Sequence, residues 1–172
     1  LLIVLLWAGF MMSIIFNPTQ YIYKSSEIKA QFYKMYDEKL AQWPVKHESV
    51  YVETDYGKVH VVVCGPEQAP PVLLIHASAI AAWSWYPNVG ELEKHFRVYA
   101  VDNIREVNKS ELADLKKPLV GKADGGPEIA RFYTDLTTKL GFEKSYVVGA
   151  SVGGFLASNY ALYAPQRVQK LV

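Results

Sequence analysis

Cysteine is almost absent: Cys64 is the only one in 172 residues. A single thiol excludes an internal disulfide and any CxxC metal or redox site. Its place in the apolar run "KVHVVVC" points to a buried structural thiol. A dominant charge sign is also missing. Lys and Arg number 18 against 17 Asp and Glu, a formal net charge of +1, and the two signs are interspersed. No basic stripe marks a nucleic-acid partner, and no acidic tail marks a charged one. Histidine is scarce, with four residues: His47, His60, His76 and His95. None pairs with another at a spacing that shares one face, so no metal site is expected. Internal repeats and low-complexity segments are lacking as well.

Charge is missing altogether from Leu1 to Phe16, "LLIVLLWAGFMMSIIF". The run falls slightly short of the roughly 17–25 residues that span a bilayer. The chain starts without Met and without a basic n-region, so the start reads as clipped. Tyr21, Tyr23 and Lys24 suit a headgroup zone just beyond it. Three readings stay open: a transmembrane-type anchor, a secretory signal core, or a buried helix. The absence of a small-x-small cleavage site favours the anchor, and with it a membrane localisation. Secretion after cleavage is the alternative.

A helical spacer follows. Ser25 and Ser26 can cap it, Glu27 suits its first turn, and Pro44 ends it. Ile28, Phe32, Met35, Tyr36, Leu40 and Trp43 recur at helical spacing. That face can pack on the following domain or lie on a membrane surface.

Beyond it strands and helices alternate. "ESVYVETD" and "KVHVVVC" flank a turn at "DYGK" and read as an antiparallel hairpin. "VLLIH", "FRVYAVD" and "SYVVG" are short apolar runs, as expected of strands buried on both faces. Helices are expected over 83–95, from Pro127 to a cap at Gly141, and from the end of "SYVVG" to Pro165. Residues 103–126 show no period, and a loop of that length is usually functional or mobile. His47 reads as exposed, and His95 as the end of a helix. "RVQKLV" opens one more strand. The pattern implies a mostly parallel sheet flanked by helices.

Within it lies "GASVGG", Gly149 to Gly154, a Gly-x-Ser-x-Gly pattern between a strand and a helix. A strand that passes straight into a helix forces the serine into a strained conformation, and its neighbours must be small. Ser151 is then lifted clear of the sheet as a candidate catalytic nucleophile. The Val152 N–H points from the helix start to where an oxyanion would form. A tight turn without chemistry, or a phosphate cradle, is the alternative. The Gly-Lys-Ser/Thr of a nucleotide P-loop is absent.

Over residues 48–172 the chain resembles the N-terminal half of an alpha/beta-hydrolase, close to membrane-anchored esterase- and lipase-like members. The resemblance rests on "YVETDYGKVHVVVCGPEQAPPVLLIHASAIAAWSWYPNV", "FRVYAVDNIREVNKS", "GASVGG" and "APQRVQKLV". It implies that Ser78 supplies the second oxyanion N–H, and that His76 and Asp102 organise loops rather than join a triad. Two positions depart from the family pattern: Ala77 and Arg105 stand where it has glycine. Trp83 and Trp85 suit either an acyl pocket or plain core packing.

In that family the order is Ser, then Asp or Glu, then His, whereas all four histidines here precede Ser151. The expectation is therefore a domain truncated after the nucleophile helix, since a whole one needs around 200–250 residues. Residues 1–20 would be the anchor or signal, 21–46 the spacer, and 47–172 the incomplete hydrolase domain. The activity implied for the complete protein is serine acyl hydrolysis, of the carboxylesterase or lipase kind. It would act on a small-molecule ester without a cofactor. An acyltransferase, a carbon–carbon bond hydrolase, a cofactor-free peroxidase and a non-catalytic membrane-tethered binding module are the alternatives.

Overall fold

A computed structural model describes residues 22–113 and 125–172. The apolar segment Leu1–Phe16 lies outside them. Among the described residues no helix is long and apolar enough to cross a membrane.

The hairpin forms as β1 (His47–Thr54) and β2 (Gly57–Cys64), paired antiparallel from His47 opposite Cys64 to Thr54 opposite Gly57. Then come β3 (Pro71–Ile75), β4 (Arg97–Val101), the two-residue β5 (Glu111–Leu112), β6 (Ser145–Gly149) and β7 (Val168–Leu171). They make one sheet in the order β1-β2-β4-β3-β6-β7, with β5 on β2. Every pairing that involves β2 is antiparallel, and the rest are parallel. β2 therefore runs alone against the others.

The strands are apolar on both faces because both faces are covered. Val59, Val61, Val63, Leu73, Ile75, Val101 and Val147 pack on one side. Val62, Cys64, Val72, Leu74, Val98 and Ala100 pack on the other. That is the period of two expected of a strand. The first face is covered by α3 (Gly125–Lys139) through Ile129, Phe132, Tyr133 and Leu136, and by α4 (Val152–Tyr163) through Ala157 and Tyr160. The second is covered by α1 (Ser26–Leu40) and α2 (Tyr86–Leu92). Cys64 is buried there, which pushes its thiol up to about 11.

The spacer helix packs on the domain. The Ile28 N–H donates to the Ser25 hydroxyl at 3.3 Å, which caps the helix start. Tyr36 and Leu40 are buried, and the Trp43 indole N–H donates to the Trp83 carbonyl at 3.0 Å. The helix stops at Leu40, short of Pro44.

Other boundaries also shift. The expected helix over 83–95 is a 3-10 turn, Ala82–Trp85, followed by α2. His95 consequently lies beyond the helix end rather than in it. α3 starts at Gly125, two residues before Pro127. Its far end closes as expected: Gly141 takes φ 91°, and the Phe142 N–H reaches back to the Thr137 carbonyl at 3.1 Å. His47 is half-buried, not exposed. It starts β1 with its Nδ1–H on the Val45 carbonyl and its ring 5.4 Å from that of Trp43.

Tyr36 has no exposed surface, whereas Ile28 on the same helix is 45% exposed. Tyr36→Ala is expected to cost about 3–5 kcal/mol in urea unfolding, in the range of aromatic truncation in a core. Ile28→Ala should stay within about 0.5 kcal/mol. Equal effects would mean that α1 does not dock in this way.

Candidate active site

Ser151 is the hinge between β6 and α4. Its backbone sits at φ 53°, ψ −116°, a conformation that L-residues rarely adopt. The surroundings hold it there. A Cβ on Gly153 would lie 2.1 Å from the Ile75 carbonyl oxygen, and one on Gly149 would lie 2.3 Å from the Gly153 carbonyl oxygen. Only glycine fits either place. The Ala150 N–H donates to the Ile75 carbonyl at 3.0 Å, which ties the turn to the end of β3. Ser151 itself is exposed. Among the described residues the Val152 N–H has no hydrogen-bond partner.

β3 and β6 are parallel neighbours, with Ile75 opposite Gly149. Their C-terminal ends, and therefore His76–Ala79 and Ser151, emerge along the same sheet edge. Ser78 is exposed there, with its N–H free of partners among the described residues. Its hydroxyl donates to Glu106 Oε1 at 3.0 Å, and the next N–H, that of Ala79, donates to Glu106 Oε2 at 3.2 Å. Ala79 adopts φ 63°. Ala77 shows no such φ, so alanine fits where the family pattern has glycine. Arg105 does adopt a glycine-like φ of 76°. The side chain has changed there while the glycine-type backbone is kept. Burial pulls the Arg105 guanidinium below its usual value.

His76 is fully buried and engaged on both sides. Its Nδ1–H donates to the Ala77 carbonyl at 2.7 Å, and its Nε2 accepts the Asn103 N–H at 2.9 Å. The Asn103 side-chain amide donates to the His76 carbonyl at 3.0 Å. Burial lowers the pKa of the ring, which favours the neutral form these bonds require. A histidine so placed ties two loops together and has no nitrogen left for Ser151.

Asp102 has the same character. Its Oδ1 accepts the Ala82 N–H at 2.8 Å, and its Oδ2 accepts the Lys109 N–H at 3.1 Å and His60 Nδ1 at 2.9 Å. His60 is also buried. Its Nε2 lies 3.0 Å from the Ser49 hydroxyl, and the Tyr36 hydroxyl lies 3.3 Å from its Nδ1. A buried carboxylate needs several donors, and here they come from two loops and a strand. Trp83 and Trp85 pack half-buried against the core on the α1 and α2 face.

Sequence reasoning missed Glu106 and the role of His60. Glu106 lies in a stretch without periodicity, 28 residues from the hydroxyl it holds. His60 carried a signal: an inward-facing histidine in a strand buried on both faces must find a polar partner.

A mostly parallel sheet, with one strand passing through a strained serine into a helix, defines an α/β protein with a nucleophile-type elbow. The family model for the alpha/beta hydrolase fold matches residues 70–172, and the chain belongs to that family. It is 35% identical over 153 residues to the uncharacterized carboxylesterase nap of Bacillus subtilis, covering 89% of this chain and 49% of that one. It is 37% identical over 142 residues to carboxylesterase YbfK of the same organism, covering 83% and 46%. The crystal structure of naproxen esterase from Bacillus subtilis superposes with a TM-score of 0.77 at 36% identity, covering 87% of this chain and 50% of that one. The chain thus spans about half the length of these relatives.

The backbone at Ser151 gives a direct test of stored strain. Residues in such regions cost about 1–3 kcal/mol, and glycine relieves this at an unfolded-state cost of about 0.4–1 kcal/mol. Ser151→Gly is expected to raise the unfolding free energy by about 1 kcal/mol, with Ser151→Ala close to neutral. A Gly variant no more stable than the Ala variant would show that the turn is unstrained.

Proposed function

We propose that the complete protein is a membrane-anchored serine carboxylesterase with Ser151 as its nucleophile. One observation carries the reading: the strained, exposed Ser151, between glycines that nothing larger can replace, with a Val152 N–H beside it that is unpartnered among the described residues. The carboxylesterases among its relatives support the choice of an ester substrate.

In this reading Ser151 Oγ attacks the ester carbonyl carbon while a histidine takes its proton. The carbonyl electron pair moves to oxygen, and the N–H groups of Val152 and Ser78 hold the oxyanion. Each such donor is typically worth about 3 kcal/mol to the transition state. Collapse of the intermediate expels the alcohol, which receives the proton back from the histidine. Water then attacks the acyl-enzyme by the same route and releases the acid. The base and its Asp or Glu partner would come from sequence beyond Val172, in the family order Ser, acid, His. No cofactor takes part. Residues 1–20 would be the anchor, 21–46 the spacer and 47–172 the first part of the catalytic domain.

The full-length protein is expected to react with a fluorophosphonate probe. Ser151→Ala should abolish labelling and cut ester turnover by at least about 10³-fold. A folded wild-type protein that stays unlabelled while a control esterase reacts would sink the enzyme reading. The full-length protein is also expected to pellet with membranes and resist alkaline carbonate extraction. Its recovery in the soluble fraction or the medium would overturn the anchor.

A further inference from the structure

The hydrogen bonds around Glu106 are peculiar in their direction. The carboxylate of one active-end loop reaches into another and takes two consecutive donors, the Ser78 hydroxyl and the Ala79 N–H, one on each oxygen. These donors bracket the Ser78–Ala79 peptide just after the Ser78 N–H, which itself stays unpartnered among the described residues. The segment they hold is not one that would hold itself. Ala79 lies at φ 63°, a left-handed conformation that non-glycine residues rarely adopt, and Ser78 and Ala79 are both exposed.

Glu106 is in turn presented by a defined turn. Its N–H donates to the Asn103 carbonyl at 3.2 Å, and the left-handed Arg105 directly before it reverses the chain. Asn103 is bound to His76, so the base of the clamp is tied to the base of the loop that it clamps. The far side of the same loop is anchored as well. The Tyr23 hydroxyl donates to the Asn108 carbonyl at 2.6 Å, and Asp37 on α1 pairs with Lys109.

We propose that Glu106 is a positioning residue for the oxyanion hole, and that by bridging the Ser78 hydroxyl and the Ala79 N–H it aims the Ser78 N–H at the substrate carbonyl oxygen. The inference rests on the esterase reading of Ser151. Glu106 itself touches no reacting atom. Its charge is spent on the two donors it holds, so its contribution lies in geometry, and an oxyanion donor acts mainly in the transition state.

The test is steady-state kinetics of the full-length protein with Glu106→Ala, Glu106→Gln and Ser78→Ala. A trifluoromethyl ketone, which forms a hemiketal oxyanion on the serine, is compared with a non-reacting amide of the same shape. Glu106→Ala is expected to lower kcat by about 10–100-fold, less than outright loss of a donor, with KM changed less than about 2-fold. Ketone affinity should fall in parallel with kcat/KM while amide affinity and the thermal midpoint hold. Glu106→Gln keeps a carbonyl oxygen that can accept one of the two bonds, and should recover part of the loss. Ser78→Ala keeps the N–H but loses one anchor, and should fall between wild type and Glu106→Ala.

An active wild type whose Glu106→Ala variant keeps its kcat overturns the clamp alone. So does a variant that loses amide binding and thermal stability together with kcat, because that is general damage to the loop. A wild type that neither turns over esters nor takes the fluorophosphonate probe overturns the clamp together with the reading beneath it.

Discussion

The contact that everything else must accommodate is backbone against backbone: the first turn of α4 pressed on the end of β3. A single methyl group at Gly153 would lie 2.1 Å from the Ile75 carbonyl oxygen. Because helix and strand approach this closely, the chain has no room for a loop between β6 and α4. The reversal falls on one residue, Ser151, and its φ of 53° is the result. The same compression makes glycine necessary at 149 and leaves the Val152 N–H at the head of the helix without an intrahelical partner. The parallel register of β3 with β6 delivers the His76 loop to the same edge. Strain, exposed hydroxyl and open N–H thus follow from one packing distance.

A second constraint is the burial of Asp102 at the end of β4. A carboxylate with no exposed surface must be surrounded by donors, and those here come from the Ala82, Lys109 and His60 segments. Meeting that need joins the loop after β3 to the loop after β4. His76 and Asn103 join them again from below. α1 then enters the same network through Tyr36 beside His60 and Asp37 on Lys109. The helix that follows the apolar N-terminal segment is therefore tied, through the buried Tyr36 hydroxyl and the exposed Asp37 carboxylate, to β2 and to the loop after β4.

What could be read from the sequence was what is local. The strands, the helix end at Gly141 and the turn at Ser151 each depend on residues within a few positions of one another, so composition and period reveal them. α2 was misplaced because its start is set from afar: the Asp102 carboxylate binds the Ala82 N–H, and a 3-10 turn precedes the helix. β5 was invisible because two residues carry no period, and β2 alone defines it as a strand. Arg105 shows a different limit. The sequence displays a lost glycine, while the backbone displays a glycine conformation retained by a long side chain. Glu106 escapes because its partner lies 28 residues away, beyond any local pattern, whereas the strand pattern signals that His60 needs a polar partner but not that Asp102, 42 residues on, supplies it.

These two constraints also divide the site into parts of different robustness. The Val152 N–H is a main-chain group fixed by the packing of α4 on β3, so no side-chain change short of Gly149 or Gly153 can move it. The Ser78 N–H is a main-chain group too, but the loop that carries it is exposed and left-handed at Ala79, and side chains hold it. In the proposed reading, residues 103–110 bear on one oxyanion donor and leave the other alone. On that reading a working site can carry alanine at 77 and arginine at 105. Neither disturbs the packed half of the site, and in the proposed reading the carboxylate one residue past Arg105 sets the adjustable half.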